Sequence, residues 1–297
     1  MGVSRNSNIQ VRQARSIARR FGFLETPLGR SRYNRHRDSG VPIAGLYVHL
    51  HWQQLNMRDV NKFLTGFRRF QHHYFDRNPE LFDRLFMEGQ RPRALMLACC
   101  DSRCDPGVLT DSEPGDMFVV RNVANLVPPH TQAASYAGTT SAIAFAICNL
   151  EVEHVIVMGH ARCGGIRALM ANKPPECDEE QLIARWLGIA EDARQQVLKD
   201  LPGKSPEIQA RACEQASILK SLENLMSYPW ISRRVNEGKL ALHGWYFDMA
   251  NGTLMQYDSD AGEFRVMELQ TEGGADHPEE SLQPHRLFES WESNPPL

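Results

Sequence analysis

Apolar side chains recur at helical spacing at Val60, Phe63, Leu64 and Phe67, and again after Pro79 at Leu81, Phe82, Leu85 and Phe86. This period predicts two helices over 58–88, both turned towards a core. From residue 94 the pattern changes. Ala94 to Cys99 is a short continuous apolar run, and 117–120 and 155–158 are two more. Runs of this length without alternation predict strands buried on both faces, as in a parallel sheet. The Ala-rich stretch 135–150 lies between the second and third runs and predicts a buried helix. Strand, helix, strand at this spacing makes a βαβ crossover.

Further along, Leu182, Trp186, Ile189, Ala193 and Val197 line one face of a predicted helix over 179–199. Residues 208–226 read likewise, beginning just after Pro206. Segments 240–248 and 253–257 flank Asn251-Gly252, a strong hairpin signal. From 271 the tail is rich in Gly, Pro and acids and is expected to be irregular. At the other end, Arg5, Arg12, Arg15, Arg19 and Arg20 precede the first acid, Glu25. Residues 1 to about 40 differ in composition from the rest; the expected division is a basic extension (1–55), a central domain (56–270), whose bounds follow from a resemblance given below, and a tail (271–297). The extension fits a loosely packed segment, a transit peptide or a basic arm for an acidic protein partner. Gly2 does not begin a myristoylation signal, because position 6 is Asn.

Composition narrows the class. The chain has 297 residues, 42% hydrophobic and 23% charged, with a net charge of −3. Such a balance recruits neither nucleic acid nor anionic lipid. No apolar run is long enough to span a membrane, and the start lacks the apolar core of a signal peptide. Seven cysteines, three of them within six residues, make a poor disulfide framework in a chain this long. A reducing compartment with a metal or reactive-thiol site fits better. The expected location is cytoplasmic, or organellar if residues 1–40 are a transit peptide.

The chemistry concentrates in two segments, Cys99-Cys-Asp-Ser-Arg103 and His160-Ala-Arg-Cys-Gly-Gly165. Both follow predicted strands, and ligands in such sheets bind beyond the carboxyl ends of the strands. His160 and Cys163 form an H-x-x-C pair able to chelate one ion. The first segment adds one cysteine, since adjacent Cys99 and Cys100 point to opposite faces. Two thiolates and an imidazole with one open position describe a catalytic zinc site. Spacing alone leaves Cys99, Cys100 and Cys104 open as the third ligand, and leaves a redox thiol pair open as well. Asp101 and Arg103 are placed to pair, and a carboxylate held by arginine stays ionised and oriented. Gly164-Gly165 permits close backbone approach and starts a helix whose N-terminus favours a Cys163 thiolate.

Three motifs in order, Ala98-Cys-Cys-Asp-Ser-Arg103, Pro114-Gly-Asp-Met-Phe-Val-Val-Arg-Asn-Val-Ala-Asn125 and Gly159-His-Ala-Arg-Cys-Gly-Gly165, resemble the signatures of the β-class carbonic anhydrases. Leu242-His-Gly-Trp-Tyr-Phe-Asp248 resembles a late strand of the same family. The resemblance covers about residues 55–270. It implies an α/β fold with a mostly parallel central sheet flanked by helices, and N-terminal helices that pack on a dimer partner. It implies Zn2+ held by Cys99, His160 and Cys163, with Asp101 and Arg103 as the catalytic dyad. It places Gln90, Phe118, Val123, Phe145 and Gly164 in the substrate pocket, part of it supplied by the partner of a homodimer or higher oligomer. Phe145 stands where plant-type members carry tyrosine. Met96 and Ala98 replace the Trp and Gly of the bicarbonate-regulated subset, which favours a permanently open site.

The implied reaction is reversible hydration of carbon dioxide to bicarbonate and a proton by hydroxide on the zinc. Two thiolates make that water less acidic than three imidazoles would, so activity is expected to rise above neutral pH. His130 and His154 are candidates for the proton shuttle, each with a packing role as its alternative. Two further readings keep the metal: hydrolysis of CS2 or COS on the same fold, and a non-catalytic zinc-stabilised scaffold.

Overall fold

The computed structural model describes residues 58–267, so the readings made on the basic extension and on the tail fall outside the described residues. Two compact units are distinguished, 1–69 and 70–297, and the described residues of the first are those of the opening helix up to Arg69. Helix α1 (Arg58–Gln71) runs into a π-helical turn (His72–Arg77) and then helix α2 (Pro79–Glu88). The ring of Phe82 gathers those of Phe70, Tyr74 and Phe75, with centroids 5.5, 5.5 and 4.7 Å away. Both helices form, but among the described residues neither is buried in a core. Val60, Phe63 and Leu64 are exposed, no residue of α2 is buried, and Phe86 is 87% exposed. Periodicity shows that a face is apolar; it is silent on what covers it.

The centre of the second unit is a six-stranded sheet in the order β2-β1-β3-β4-β5-β6. Strands β1 (Ala94–Cys99), β2 (Met117–Asn122), β3 (His154–His160) and β4 (Ala241–Asp248) are parallel. Strands β5 (Thr253–Asp258) and β6 (Glu263–Val266) extend the sheet antiparallel. The central strands β1 and β3 are buried almost throughout, as their unbroken apolar runs predict. Strand β2 has an equally apolar run but ends the sheet among the described residues. Its residues are only half-buried and Val119 is exposed, which corrects the expectation of burial on both faces. The hairpin at Asn251-Gly252 forms between β4 and β5, with Gly252 at φ +63°. No element is predicted from the sequence over 263–266, where β6 forms.

Short helix α3 (Pro106–Thr110) connects β1 to β2. The Ala-rich connection to β3 is a 3-10 stretch (His130–Tyr136), helix α4 (Ala137–Ala144) and a π-helical turn (Phe145–Asn149). It is buried only along Thr140, Ile143, Ala146 and Ile147, so the helix is one-sided. Helices α5 (Gly164–Ala171), α6 (Asp178–Leu187), α7 (Glu191–Asp200), α8 (Pro206–Met226) and α9 (Pro229–Asn236) follow β3. The single helix predicted over 179–199 is two, because a 3-10 turn (Gly188–Ala190) separates α6 from α7. Helix α8 starts where Ser205 caps the amide of Ile208 and Pro206 takes the first turn.

The main core lies between one face of the sheet and α8. Leu95, Leu97, Val155, Val157 and Tyr246 pack with Ile218 and Leu225. Glycines let α8 approach closely: a Cβ on Gly159 would fall 2.8 Å from Ile218 Cδ1, and one on Gly244 would fall 3.1 Å from Ile218 Cγ2. From β1 the chain moves to one side to make β2 and returns on the other to make β3. That reversal opens a crevice at the carboxyl ends of β1 and β3, where α/β sheets bind ligands. No helix among the described residues is long and apolar enough to cross a membrane.

Candidate metal centre

Cys99 is the last residue of β1 and His160 the last of β3. Cys163 follows three residues later as the N-cap of α5. Their ligand atoms all lie within 4.8 Å of one another, and all three side chains are buried. The Sγ atoms of Cys99 and Cys163 are 3.9 Å apart. Geometry thus chooses among the three cysteines that spacing left open. Cys100 is exposed, and Cys104 is buried with its Sγ directed at the carbonyl of Asp101, 3.3 Å away.

The imidazole tests whether the cluster fits a metal. His160 Nδ1 lies 2.9 Å from the carbonyl of Ala161, which places the proton on Nδ1. Nε2 is buried and has no hydrogen-bond partner. A buried nitrogen lone pair facing two thiols is what a zinc ion satisfies. The three thiols share charge unequally. Hydrogen bonds from Cys104 and Cys163 hold the Cys99 thiol far below its ordinary range, and the same contacts, with burial, push Cys104 and Cys163 up. Amides of Ile166 and Gly165 at the start of α5 work against that rise at Cys163. A metal needs the ligands as thiolates, and the helix terminus helps to supply one.

Beside the cluster, Arg103 grips Asp101 with two parallel hydrogen bonds, Nε to Oδ1 at 2.9 Å and Nη2 to Oδ2 at 2.7 Å. The Arg103 amide adds a third, 3.0 Å to Oδ1. The guanidinium contact holds the Asp101 carboxyl down at about 2, below the usual carboxylate range. Asp101 Oδ2 lies 4.0 Å from His160 Nε2, so the carboxylate borders the cluster of Cys99, His160 and Cys163. The second loop takes part: Arg103 Nη2 also donates to the carbonyl of Arg162, at 3.3 Å.

The pocket residues fall into two groups. Val123 and Gly164 stand beside the ligands. Val123 follows β2, and its Cγ1 would lie 2.9 Å from a Cβ on Gly165. Its carbonyl accepts the indole N–H of Trp186 at 2.7 Å. Gly164 begins α5 directly after Cys163. Gln90, Phe118 and Phe145 lie elsewhere in the chain. Phe118 stands opposite Leu95 in the β1–β2 register, four residues and about 13 Å along the strand from Cys99. Its ring is 5.9 Å from that of Phe145, and Gln90 is exposed just ahead of β1. His154, one of the shuttle candidates, begins the strand that His160 ends, about 20 Å from the chain's own ligands. It pairs with His243, Nδ1 to Nε2 at 3.2 Å. His130 packs its ring on Tyr228 at 5.2 Å.

Two supports of the centre gave no sequence signal. Arg121, near the end of β2, donates to the carbonyls of Cys99 at 3.0 Å and Asp101 at 2.7 Å and to Asp105 Oδ2 at 2.6 Å. Glu214, on α8, is buried, and its Oε1 accepts the amide of Cys163 at 3.0 Å. Its Oε2 accepts the hydroxyl of Tyr246 at 2.8 Å. Burial pushes the Glu214 carboxyl up, against these hydrogen bonds. Arg121 sits inside a motif whose chemistry the sequence does not explain, and Glu214 sits 51 residues from the amide it holds.

The comparisons agree with this geometry. A family model described as carbonic anhydrase matches residues 94–254. A carbonic anhydrase of Synechocystis sp. is 34% identical over 226 residues, 76% of this chain and 80% of that protein. The solved β-carbonic anhydrase CcaA superposes with a TM-score of 0.66 at 33% identity, covering 71% of this chain and 93% of that one. A tetrameric β-carbonic anhydrase of Sordaria macrospora gives 0.59 at 27% identity, covering 67% of this chain and 96% of that one. With its ligand triad at the carboxyl ends of two parallel strands, this chain belongs to the β-class carbonic anhydrase family.

Proposed function

We propose that this protein catalyses the reversible hydration of carbon dioxide to bicarbonate and a proton, with zinc held by Cys99, His160 and Cys163. The observation that carries the reading is the unpartnered, buried Nε2 of His160 facing two thiols, with a clamped carboxylate alongside. When bound, zinc supplies Lewis-acid activation of water near neutral pH. Asp101 is ionised throughout the working range, so it accepts a hydrogen bond from the attacking water and aims it. Arg103 keeps that carboxylate from rotating. Val123 and Gly164 leave an apolar approach on the ligand side, where a non-polar gas displaces little ordered water.

A second copy of the chain completes the site in this proposal. Gln90, Phe118 and Phe145 lie away from the chain's own ligands, and Phe145 is half-exposed. Apolar Phe63, Leu64 and Phe86 are exposed as well, as surfaces that dock on another copy are.

Stopped-flow CO2 hydration across roughly pH 6.5–9, spanning the ~7 of an activated zinc water, tests the reading on protein of measured zinc content and mass. Activity that rises with pH at one zinc per chain, in an oligomer, is the expected result. Full zinc occupancy without hydration would sink it and turn attention to CS2 or COS.

A further inference from the structure

Glu214 is a buried carboxylate that the reaction described above does not use. Helix α8 delivers it. Ile218, one turn further along the same face, seats against Gly159 and Gly244 in the β3–β4 seam. That contact places Glu214 beneath the loop that leaves β3. Its Oε1 accepts the amide of Cys163, and the amide of Arg162 also donates to the carboxylate. Its Oε2 is held by the Tyr246 hydroxyl.

Two consecutive amides converge on one carboxylate because of an unusual backbone. Arg162 has φ +55°, in the left-handed region that side chains rarely adopt. This turn separates His160 from Cys163, so it sets how the two ligands approach one ion. It also turns the Arg162 carbonyl outward, where Arg103 Nη2 donates to it. Hydrogen bonds therefore run unbroken from Glu214 through the main chain of Arg162 and Cys163 to Arg103 and Asp101.

We propose that Glu214 is the positioning residue of the metal centre: it locks the left-handed turn at Arg162, and so fixes both the bite of His160 and Cys163 and the seat of Arg103 against Asp101. Tyr246 orients Glu214 in turn. The inference rests on the zinc reading of the centre. A carboxylate serving only to satisfy core polar groups would leave the metal's affinity and ligand field unchanged. Partners that orient metal ligands from behind do not.

The test compares full-length Glu214→Met, Glu214→Gln and Tyr246→Phe with the parent. Zinc affinity is read by competition with a chromogenic chelator, and the ligand field by the visible absorption of the cobalt(II)-substituted proteins. Glu214→Met is expected to lose affinity about 10- to 100-fold and to alter the cobalt spectrum. Glu214→Gln keeps an oxygen for the Cys163 amide and should recover most of that loss. Tyr246→Phe should show a smaller loss in the same direction. A folded Glu214→Met with the parent's affinity and spectrum overturns the proposal. If Glu214→Met does not fold, Tyr246→Phe decides: a parental affinity and spectrum overturn the proposal, and a loss with an altered spectrum supports it. A parent that binds no zinc would instead defeat the metal reading itself.

Discussion

The two loops that carry the candidate metal ligands are held in opposite ways. The loop after β1 is gripped from its solvent side by guanidinium groups, which donate to the carbonyls of Cys99 and Asp101 and to the Asp101 carboxylate. The Arg121 side chain is 26% exposed and that of Arg103 53%. The loop after β3 is gripped from within, by a Glu214 that accepts main-chain amides and is 5% exposed. Donors suit the first loop because strand-end carbonyls point outward there, and an acceptor suits the second because a helix start presents free amides. The difference also follows the work. In the proposed reaction Asp101 would meet water and substrate, and its support sits at the rim. His160 and Cys163 would stay fixed as ligands, and theirs lies in the core.

Substitutions separate these roles, and the largest effect is expected at the buried loop. Cys163→Ser should release the zinc and reduce CO2 hydration to background, with metal analysis and stopped flow as the paired readouts. Chelator treatment of the parent should reproduce the loss, and added zinc should reverse it. Asp101→Asn should keep its zinc while kcat falls on the order of 10²-fold, the size of effect that misplacing one reacting group produces. Loss of zinc from this variant would place Asp101 among the groups that hold the ion. Arg121→Met should weaken zinc binding about 10-fold, with kcat per bound zinc reduced as the Asp101 loop loosens. An Arg121→Met protein with normal affinity and normal kcat would erase the distinction between the two supports.

Asp258 gives the smallest effect and serves as a control. Like Glu214 it accepts main-chain amides, those of Asp260 and Ala261 at 2.9 and 3.0 Å, but it is on the surface and far from any ligand in sequence. The Ala261 amide holds its carboxyl below the ordinary value. A group depressed in the folded state adds stability above its unfolded pKa of about 3.9, and that stability is lost as pH falls through the lower folded value. Asp258→Asn should therefore flatten the fall in urea midpoint below about pH 4 and leave zinc affinity untouched. A metal effect at Asp258 would mean that any amide-binding carboxylate matters, wherever it lies.

The amino-acid sequence by itself determined the chemistry. Two cysteines and a histidine, placed after continuous apolar runs, announce a metal at strand ends, because strand burial and ligand softness are local properties. Asp101 and Arg103 are legible for the same reason, being two residues apart. The Asn251-Gly252 hairpin and the start of α8 at Pro206 follow from turn and cap chemistry. Spacing left Cys99, Cys100 and Cys104 open and the family resemblance pointed to Cys99; the β1–β3 pairing is what brings that sulfur to His160. Among the described residues tertiary structure placed β2 at an edge and left apolar side chains of α1 and α2 exposed, because an apolar pattern does not name its cover. It separated His154 from the centre by the length of one strand. It also brought Arg121 and Glu214 to main-chain atoms, and such contacts leave no trace in residue spacing because any residue offers the same amide and carbonyl.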